Sequence, residues 1–255
     1  MGNFVNGQKS CNYLWVNWEI GKGIKSHIIP KSFYEIEPQK NGSIELITNK
    51  KGEYSKKVRE GIYDKEILIG KGEKFFDKFD NYGFELLISK FSKFEEIRGD
   101  ANTLIGWNIK NYDYQMIKLF ALSIIWRAHI SKQSFFSRVN LGIHADKIKS
   151  MLLSVNSGDE DQYSVNIARW KNNKFGAMFM DPDRSRFDNV NYYRIYCGRY
   201  IFYVKIDSRR SSKALEKTQL MDNQNLYVVA RDLEEIKEFS AMRKIAILKS
   251  KQQWI

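Results

Sequence analysis

In the N-terminal third of the chain, apolar residues follow first a strand spacing and then a helix spacing. Residues 24–29 are predicted to form a short strand that ends at Pro30. Residues 37–61 are mostly polar and contain glycines, so a long loop or loose hairpin is predicted there, with its strand at 44–48. After a second apolar run at 67–69, the apolar period changes from two to about 3.6, which predicts a helix.

This predicted helix has two faces of different character. Apolar side chains recur at helical steps along one face: Phe75, Phe79, Tyr82 and Leu86. Carboxylates recur on the opposite face: Glu73, Asp77 and Asp80. We therefore expect the first face to join the core and the second to present carboxylates.

Helices are predicted in the middle of the chain. Asp113 is placed to cap a helix that runs through 116–128, and this helix is apolar nearly all round, so we expect it to be buried between other elements. A shorter helix is predicted at 147–153. Residues 156–162, with Gly158 among small and acidic residues, form the best candidate linker.

Beyond the linker the pattern is typical of strands. They are predicted at 163–170, 175–180, 193–197, 200–206 and 226–230. Cys197-Gly198-Arg199 would be a hairpin turn, and Asp232 with Glu235 would form the capping box of a terminal helix. The whole pattern predicts an α+β fold: an N-terminal hairpin–helix unit, central helices and a C-terminal antiparallel sheet with a terminal helix. Two domains are predicted, 1–155 and 163–255.

Composition and charge add a class of partner to this picture. Hydrophobic residues make up 43% of the 255 positions, which is typical of a folded globular protein. The 42 Lys and Arg against 30 Asp and Glu leave a net charge of +12, which favours a nucleic-acid partner, although such a surface also serves solubility alone. The cations expected to contact phosphates are Lys31, Lys50, Lys51, Lys56, Lys57, Arg59, Arg209 and Arg210.

The two cysteines, Cys11 and Cys197, exclude a disulfide framework and a four-thiolate zinc site within one chain. The N-terminus has no long apolar run of the signal-peptide type, and no segment reaches the roughly 18 apolar residues that span a bilayer. We therefore expect a cytoplasmic protein without a membrane partner.

Several blocks of sequence resemble an HNH-endonuclease-like family of bacterial proteins. The first is Ser26-His27-Ile28-Ile29-Pro30-Lys31, the second runs from 61 to 68, and the third is Glu73 followed by Asp80-Asn81-Tyr82-Gly83. Residues 125–128, 135–137 and 141–144 resemble the helical continuation of the same proteins, so the resemblance covers about two-thirds of the chain. It implies that this domain contains a hairpin–helix, or ββα-metal, module.

HNH chemistry needs a neutral imidazole that takes a proton from water, a divalent metal, a residue that orients the imidazole, and cations that hold the strand. The resemblance implies that His27 is the general base and that Asp64, with Glu66 as the alternative, is the orienting residue. It places Glu73 at a metal-ligand position. Asp77, one turn on, would either join it in binding Mg²⁺ or Mn²⁺ or belong to an ordinary solvated face.

The sequence departs from the family pattern at two places. The Cys-x-x-Cys pairs that bind structural zinc in this family would fall on Cys11-Asn12-Tyr13-Leu14 and Ile69-Gly70-Lys71-Gly72, so at most one ligand survives and structural zinc is not expected. Ser26 stands where many HNH proteins have a metal-binding carboxylate.

Three hypotheses follow. The first is a metal-dependent nuclease that acts on DNA in preference to RNA, for example in bacterial phage defence. The second is a catalytically inactive HNH-derived subunit that binds nucleic acid or assembles with a protein partner in a defence complex. The third, ranked last, is a purely structural or partner-binding protein.

Overall fold

The computed structural model describes residues 23–34, 44–48, 50, 55–171 and 179–232. The helices are α1 (Lys31–Tyr34), α2 (Gly70–Phe84), α3 (Tyr114–Ile130), α4 (Ala145–Ser154) and α5 (Lys213–Glu216). The strands are β1 (Ser26–His27), β2 (Ile44–Ile47), β3 (Lys56–Val58), β4 (Tyr63–Asp64), β5 (Glu95–Arg98), β6 (Leu104–Ile109), β7 (Val165–Trp170), β8 (Phe179–Met180), β9 (Asp183–Phe187), β10 (Val190–Cys197), β11 (Tyr200–Lys205) and β12 (Leu226–Arg231). The fold is therefore mixed α+β, with a large sheet and several helices.

The large sheet has seven strands in the order β5-β6-β12-β7-β11-β10-β9. All neighbours are antiparallel except β12 and β7, which are parallel, so the sheet is mixed and differs from the antiparallel sheet expected of the C-terminal part. β5 and β6 precede the predicted linker at 156–162, whereas the other five strands follow it. Strands from both predicted domains thus pair in one sheet.

The hairpin between β10 and β11 confirms the predicted turn. Cys197 pairs with Tyr200 across it, and Gly198 has a φ of 60°, a left-handed conformation that glycine adopts without steric cost. Side chains of β11 reach both faces of the sheet: Phe202 contacts Phe120 of α3 on one face, and Tyr203 packs with Phe187 on the other. The sheet is therefore buried on both faces in this region.

The predicted buried helix is confirmed as α3. Asp113 caps it, since its Oδ1 accepts a hydrogen bond from the Met116 amide at 2.9 Å. α3 packs between α2, α4 and β11. α2 approaches it closely at Gly83, where a Cβ would lie 2.7 Å from the Phe120 ring, so this contact requires glycine. The shorter predicted helix is confirmed as α4.

The predicted apolar face of α2 is partly wrong. Phe79 and Leu86 are buried as expected, but Phe76 is buried while Phe75 is only half-buried. The reason is tertiary: α3 packs against the side of α2 that carries Phe76, whose ring stacks on Trp126 with centroids 6.0 Å apart. The buried face of α2 is therefore rotated relative to the predicted one. As a result, two of the three carboxylates of α2 face neighbouring elements: Glu73 faces β1 and Asp80 faces α3.

A two-stranded ribbon leads directly into α2. β1 and β4 are antiparallel, with Ser26 opposite Asp64 and His27 opposite Tyr63. Further hydrogen bonds extend the ribbon in both directions: Ile24 N donates to Leu68 O at 3.1 Å, and Ile28 N donates to Ile62 O at 3.3 Å. The ribbon ends at residue 69 and α2 begins at Gly70. A smaller sheet has the strand order β3-β2-β8. β2 and β3 belong to the connection between β1 and β4, whereas β8 comes later in the chain.

One glycine fixes the return of the chain toward β4. Gly61 has a φ of 78°, and a Cβ there would lie 2.6 Å from the Tyr34 ring. The Tyr34 hydroxyl accepts a hydrogen bond from Ile62 N at 3.3 Å. The close approach of Gly61 to Tyr34 therefore sets the position of β4 opposite β1.

No helix in the described part of the chain is long and apolar enough to cross a membrane. The predicted terminal helix after Asp232 lies outside the described residues, as do Cys11 and Leu14.

A buried lysine in α3 gives a pH-dependent stability. Lys118 is fully buried, and its Nζ donates to Tyr114 Oη at 2.9 Å and to the Asp159 carbonyl oxygen at 2.6 Å. Burial lowers its pKa from 10.5 to about 7. Between these two pH values the unfolded chain binds a proton that the folded chain does not, so the free energy of unfolding rises with pH.

We expect wild-type stability to rise with pH relative to Lys118→Met by roughly 1 kcal/mol per pH unit between about pH 7.5 and 9.5. Urea unfolding of both proteins across this range measures the difference, and tyrosine ionisation, common to both, cancels. Lys147→Met removes an exposed lysine of α4 and should run parallel to wild type. Parallel curves for Lys118→Met and wild type would show that the Lys118 amine is not desolvated.

Candidate functional site

His27 is held at the end of β1 by a backbone carbonyl. Its Nε2 lies 3.0 Å from the carbonyl oxygen of Glu60. A carbonyl oxygen only accepts, so Nε2 carries the proton, and in a neutral imidazole Nδ1 then carries the lone pair. Among the residues that the structure describes, Nδ1 has no hydrogen-bond partner. The half-buried ring therefore has one fixed and one open nitrogen.

The surroundings of His27 keep its imidazole neutral. Burial lowers the pKa of His27 below its ordinary 6.5, and the positive charges of Lys25, Lys31 and Arg127 lower it further. The charge of Asp80 acts in the opposite direction. At neutral pH the ring is thus available to take up a proton.

Tyr63 packs beside His27 on the same face of the ribbon, because residues opposite each other in an antiparallel pair project to the same side. The two ring centroids are 6.0 Å apart in an edge-to-face arrangement, and Lys25 Nζ lies 4.2 Å from the centre of the Tyr63 ring. Lys25 also pairs with the Glu60 carboxylate. The face of the ribbon that carries His27 is therefore aromatic and cationic.

Asp64, the predicted orienting residue, is not brought to the His27 ring. It pairs with Ser26 and so projects from the opposite face of the ribbon. Its buried carboxylate accepts hydrogen bonds from Ser131 Oγ at 3.0 Å and from Lys132 N and Glu66 N, each at 2.9 Å. These bonds tie β4 to the end of α3. The ring is oriented by the Glu60 carbonyl instead, while Glu66 pairs with Lys132 at the surface.

Glu73 lies in the first turn of α2 and is bound to the residue before His27. Its Oε2 accepts a hydrogen bond from Ser26 Oγ at 2.5 Å. Burial raises the pKa of Glu73, Ser26 and Arg127 lower it, and the charges of Asp80 and Asp77 raise it. His27 and Glu73 therefore both lie within reach of the charges of Asp80 and Arg127. Because Ser26 and His27 are neighbours in β1, Ser26 and its partner Glu73 lie on the opposite face of the ribbon from the His27 ring.

A buried ion pair between Arg127 and Asp80 connects the elements that carry this region. Arg127 is fully buried in α3, and its two terminal nitrogens donate to the Asp80 carboxylate at 2.9 and 2.7 Å. Nη1 also donates to the carbonyl oxygen of His27 at 3.0 Å. Burial raises the pKa of Asp80, and Arg127 opposes this effect. The pair joins α3, α2 and β1, and neither residue was identified from the sequence as part of the site.

Arg127 did leave a signal in the sequence: it is a guanidinium in the last turn of a mostly apolar helix. A buried Arg requires a partner, but a linear sequence does not say which of the many carboxylates supplies it. We refer to His27, Ser26, Glu73, Asp80 and Arg127 together as the His27 site.

The donor set for a divalent ion consists of oxygen atoms. Glu73 and the exposed Asp77 lie one helical turn apart on α2, and carboxylates are the ligands that Mg²⁺ and Mn²⁺ prefer. Within the described ranges no three His, Cys, Asp or Glu side chains are grouped so that they could hold a metal ion. Mg²⁺ is commonly held by one or two carboxylates together with waters and substrate phosphates, and this donor set fits that mode.

The predicted phosphate-binding cations lie in different places. Lys56, Lys57 and Arg59 are exposed on and after β3, and Lys31 is exposed at the start of α1. Lys50 Nζ donates to the Ser134 carbonyl oxygen and to Ser137 Oγ. Lys51 lies outside the described residues. Two further cations, Arg209 and Arg210, are exposed after β11, and Arg209 is paired with Asp207 at 2.6 Å.

The chain has no significant match among models of known protein families, curated proteins or solved structures. Its function is therefore argued from the geometry of the His27 site.

Proposed function

We propose that this chain is a metal-dependent nuclease of the HNH type that hydrolyses phosphodiester bonds in DNA, with RNA as the less favoured substrate. The observation that carries the proposal is His27: a neutral imidazole at the end of β1, fixed through Nε2 on the Glu60 carbonyl, with no partner for Nδ1 among the described residues. The ribbon that runs directly into α2 supports it, since the resemblance implies this order of elements.

In this proposal His27 is the general base. Nδ1 takes a proton from a water molecule as the water oxygen attacks the phosphorus atom, the bond from phosphorus to the leaving ester oxygen breaks, and that oxygen takes up a proton from solvent. Nε2–H stays on the Glu60 carbonyl, and this hydrogen bond stabilises the imidazolium that forms. The Arg127 bond to the carbonyl oxygen of His27 holds the end of β1 while this happens.

Glu73, with Asp77, would hold Mg²⁺ or Mn²⁺ through carboxylate oxygens. When bound, such an ion supplies Lewis-acid stabilisation of the charge that develops on the phosphate. The hydroxyl of Ser26 fixes one oxygen of Glu73, which leaves the other oxygen for a ligand. Lys57 and Arg59 supply exposed positive charge for the nucleic-acid backbone.

The proposal is tested with the purified protein on supercoiled plasmid and on labelled single- and double-stranded DNA and RNA. We expect cleavage with Mg²⁺ or Mn²⁺ and none with a chelator. If none of these substrates is cut with either metal, the proposal fails.

A second candidate is a catalytically inactive subunit of HNH origin that binds nucleic acid or assembles with a protein partner. Ser26 favours it, because a neutral hydroxyl stands where the resemblance implies a metal-binding carboxylate, and it already bonds to Glu73. A gel shift whose log affinity falls linearly with log salt, without metal-stimulated cleavage, would select this candidate. Copurification with a second protein would add to it.

Ser26→Asp tests the metal-binding region directly. It adds a second carboxylate beside Glu73, so we expect the metal concentration for half-maximal cleavage to fall on the order of tenfold. Added Mn²⁺ should also raise the melting temperature of this variant more than that of wild type, since the ion relieves repulsion between the two carboxylates. Ser26→Ala, which only removes the hydroxyl, is the control and should not gain affinity. An unchanged metal dependence in Ser26→Asp would place the metal elsewhere.

A further inference from the structure

A cavity of about 310 Å³ lies beside the His27 site, between the small sheet and the segment that follows α3. We call it the β3 cavity. Its wall is mixed, with polar and apolar groups in similar proportion, and two aromatic residues, Tyr63 and Phe135, line it; the other lining residues are Leu46, Thr48, Lys56, Val58, Gly61, Ile62, Gln133 and Ser134. Cavities that combine apolar surface with polar groups are typical of sites that bind small organic groups.

We propose that the β3 cavity takes up one unstacked nucleobase of a single-stranded segment of nucleic acid. The inference rests on the proposed function, because it names how the substrate of the His27 site is held. The cavity is within the size range of small-ligand sites, and aromatic side chains are the surfaces on which proteins stack single-stranded bases.

The polar groups at the cavity suit the edge of a base. The side chains of Lys56 and Gln133 are exposed, and within the described part of the chain neither has a hydrogen-bond partner. Lys56 donates only, whereas the Gln133 amide both donates and accepts. Ring nitrogens, carbonyls and exocyclic amines of nucleobases need this combination of groups.

Tyr63 connects the cavity to the His27 site. Tyr63 lines the cavity, and its ring packs against the His27 ring, with centroids 6.0 Å apart. A nucleotide whose base enters the cavity would therefore have its phosphate close to His27. Exposed cations continue on the same strand at Lys57 and Arg59, where they can attract the neighbouring phosphates.

Single-stranded substrate follows from the binding of a base in a cavity. A base that stacks in a duplex cannot enter a pocket without being unstacked and unpaired, which has an energetic cost that is smallest for a strand already single. We therefore expect the chain to prefer single-stranded segments over duplex of the same sequence.

Two adjacent lysines of β3 provide a matched test. Successive residues of a strand project to opposite faces, and Lys56 lines the cavity while Lys57 does not. Binding is measured by fluorescence anisotropy in a chelator, with a single-stranded DNA 12-mer and the same oligonucleotide made abasic at its central positions. Chelation keeps binding separate from cleavage.

We expect Lys56→Ala to weaken binding of the base-bearing oligonucleotide about tenfold and that of the abasic one little. Lys57→Ala should weaken both equally and reduce the slope of log affinity against log salt by about one, as a phosphate contact does. Val58→Trp, which fills the cavity, should reproduce the base-specific loss, with its fold checked by thermal melting. A 2-aminopurine base in the oligonucleotide should change its fluorescence on binding wild type but not Val58→Trp.

The assignment is overturned if wild type binds the two oligonucleotides equally, if the two lysine variants behave alike, or if free deoxyadenosine monophosphate binds as tightly as the oligonucleotide. Each of these results can occur in a protein that cuts DNA, so they do not refute the nuclease. Conversely, base-dependent binding without any cleavage would refute the nuclease and leave the cavity assignment standing.

Discussion

Replacing His27 by alanine is expected to slow metal-dependent cleavage by a factor of about 10² to 10⁴, the usual contribution of a positioned general base. The reason is that Nδ1 of His27 is the open basic atom of the site, while Nε2 is held by the Glu60 carbonyl. Single-turnover cleavage of a labelled oligonucleotide at saturating Mg²⁺ measures the effect. The fold should survive, because the ring is half-buried and outside the core.

The pH profile gives this prediction a second readout. His27 must be neutral to act, and its pKa is lowered from 6.5, mainly by burial. The rate should therefore rise with pH through a value below 6.5 and be level at about pH 7. His144→Ala is the control: this histidine contacts Tyr163 at 3.1 Å, and its variant should cut like wild type. A His27→Ala variant that cuts normally would remove His27 from the mechanism.

Replacing Arg127 by methionine is expected to lower the free energy of unfolding by about 3–5 kcal/mol, as removal of one partner of a buried ion pair does. Asp80 would keep a carboxylate without its two guanidinium donors, and the carbonyl oxygen of His27 would lose its donor as well. Urea unfolding monitored by fluorescence measures the change.

Two comparisons separate this effect from a general loss of charge. Arg127→Met combined with Asp80→Leu should recover most of the lost stability, because an apolar pair of similar volume leaves no unpaired charge. Arg98→Met removes an exposed ion pair with Glu96 and should cost under about 1 kcal/mol. If Arg127→Met is as stable as Arg98→Met, the buried pair does not support the site.

Elements with a strong local pattern could be predicted from the sequence. α3 carries a capping aspartate and an apolar run longer than any strand, and the β10–β11 hairpin has Gly198 at its turn. β5 could not be predicted, because its sequence Glu-Glu-Ile-Arg is mostly exposed and pairs at the sheet edge. The pairing of β6 with β12 is likewise a long-range choice that no local pattern encodes.

Some residues of the candidate site could likewise be predicted from local motifs, whereas other contacts of the site depend on the tertiary fold. His27 and Glu73 stand in local motifs, and in the structure both lie within reach of the charges of Asp80 and Arg127. The position of Asp64 depends on the register of the ribbon, since a shift of one residue changes the face from which it projects. The contact between His27 and the Glu60 carbonyl could not be predicted from the sequence, because every residue has a backbone carbonyl. The sequence pattern places Asp80 on a carboxylate face of α2, and only the packing of α3 shows that this carboxylate pairs with Arg127.

The proposed mechanism depends on the protonation state of His27, and nuclear magnetic resonance of the imidazole nitrogens measures this state directly. The chain contains 3 histidines, so ring-¹⁵N-labelled protein gives few signals, and His27→Ala assigns the one that matters. We expect His27 to be the Nε2–H tautomer with a pKa below 6.5. A protonated imidazolium at neutral pH, or an Nδ1–H tautomer, would contradict it.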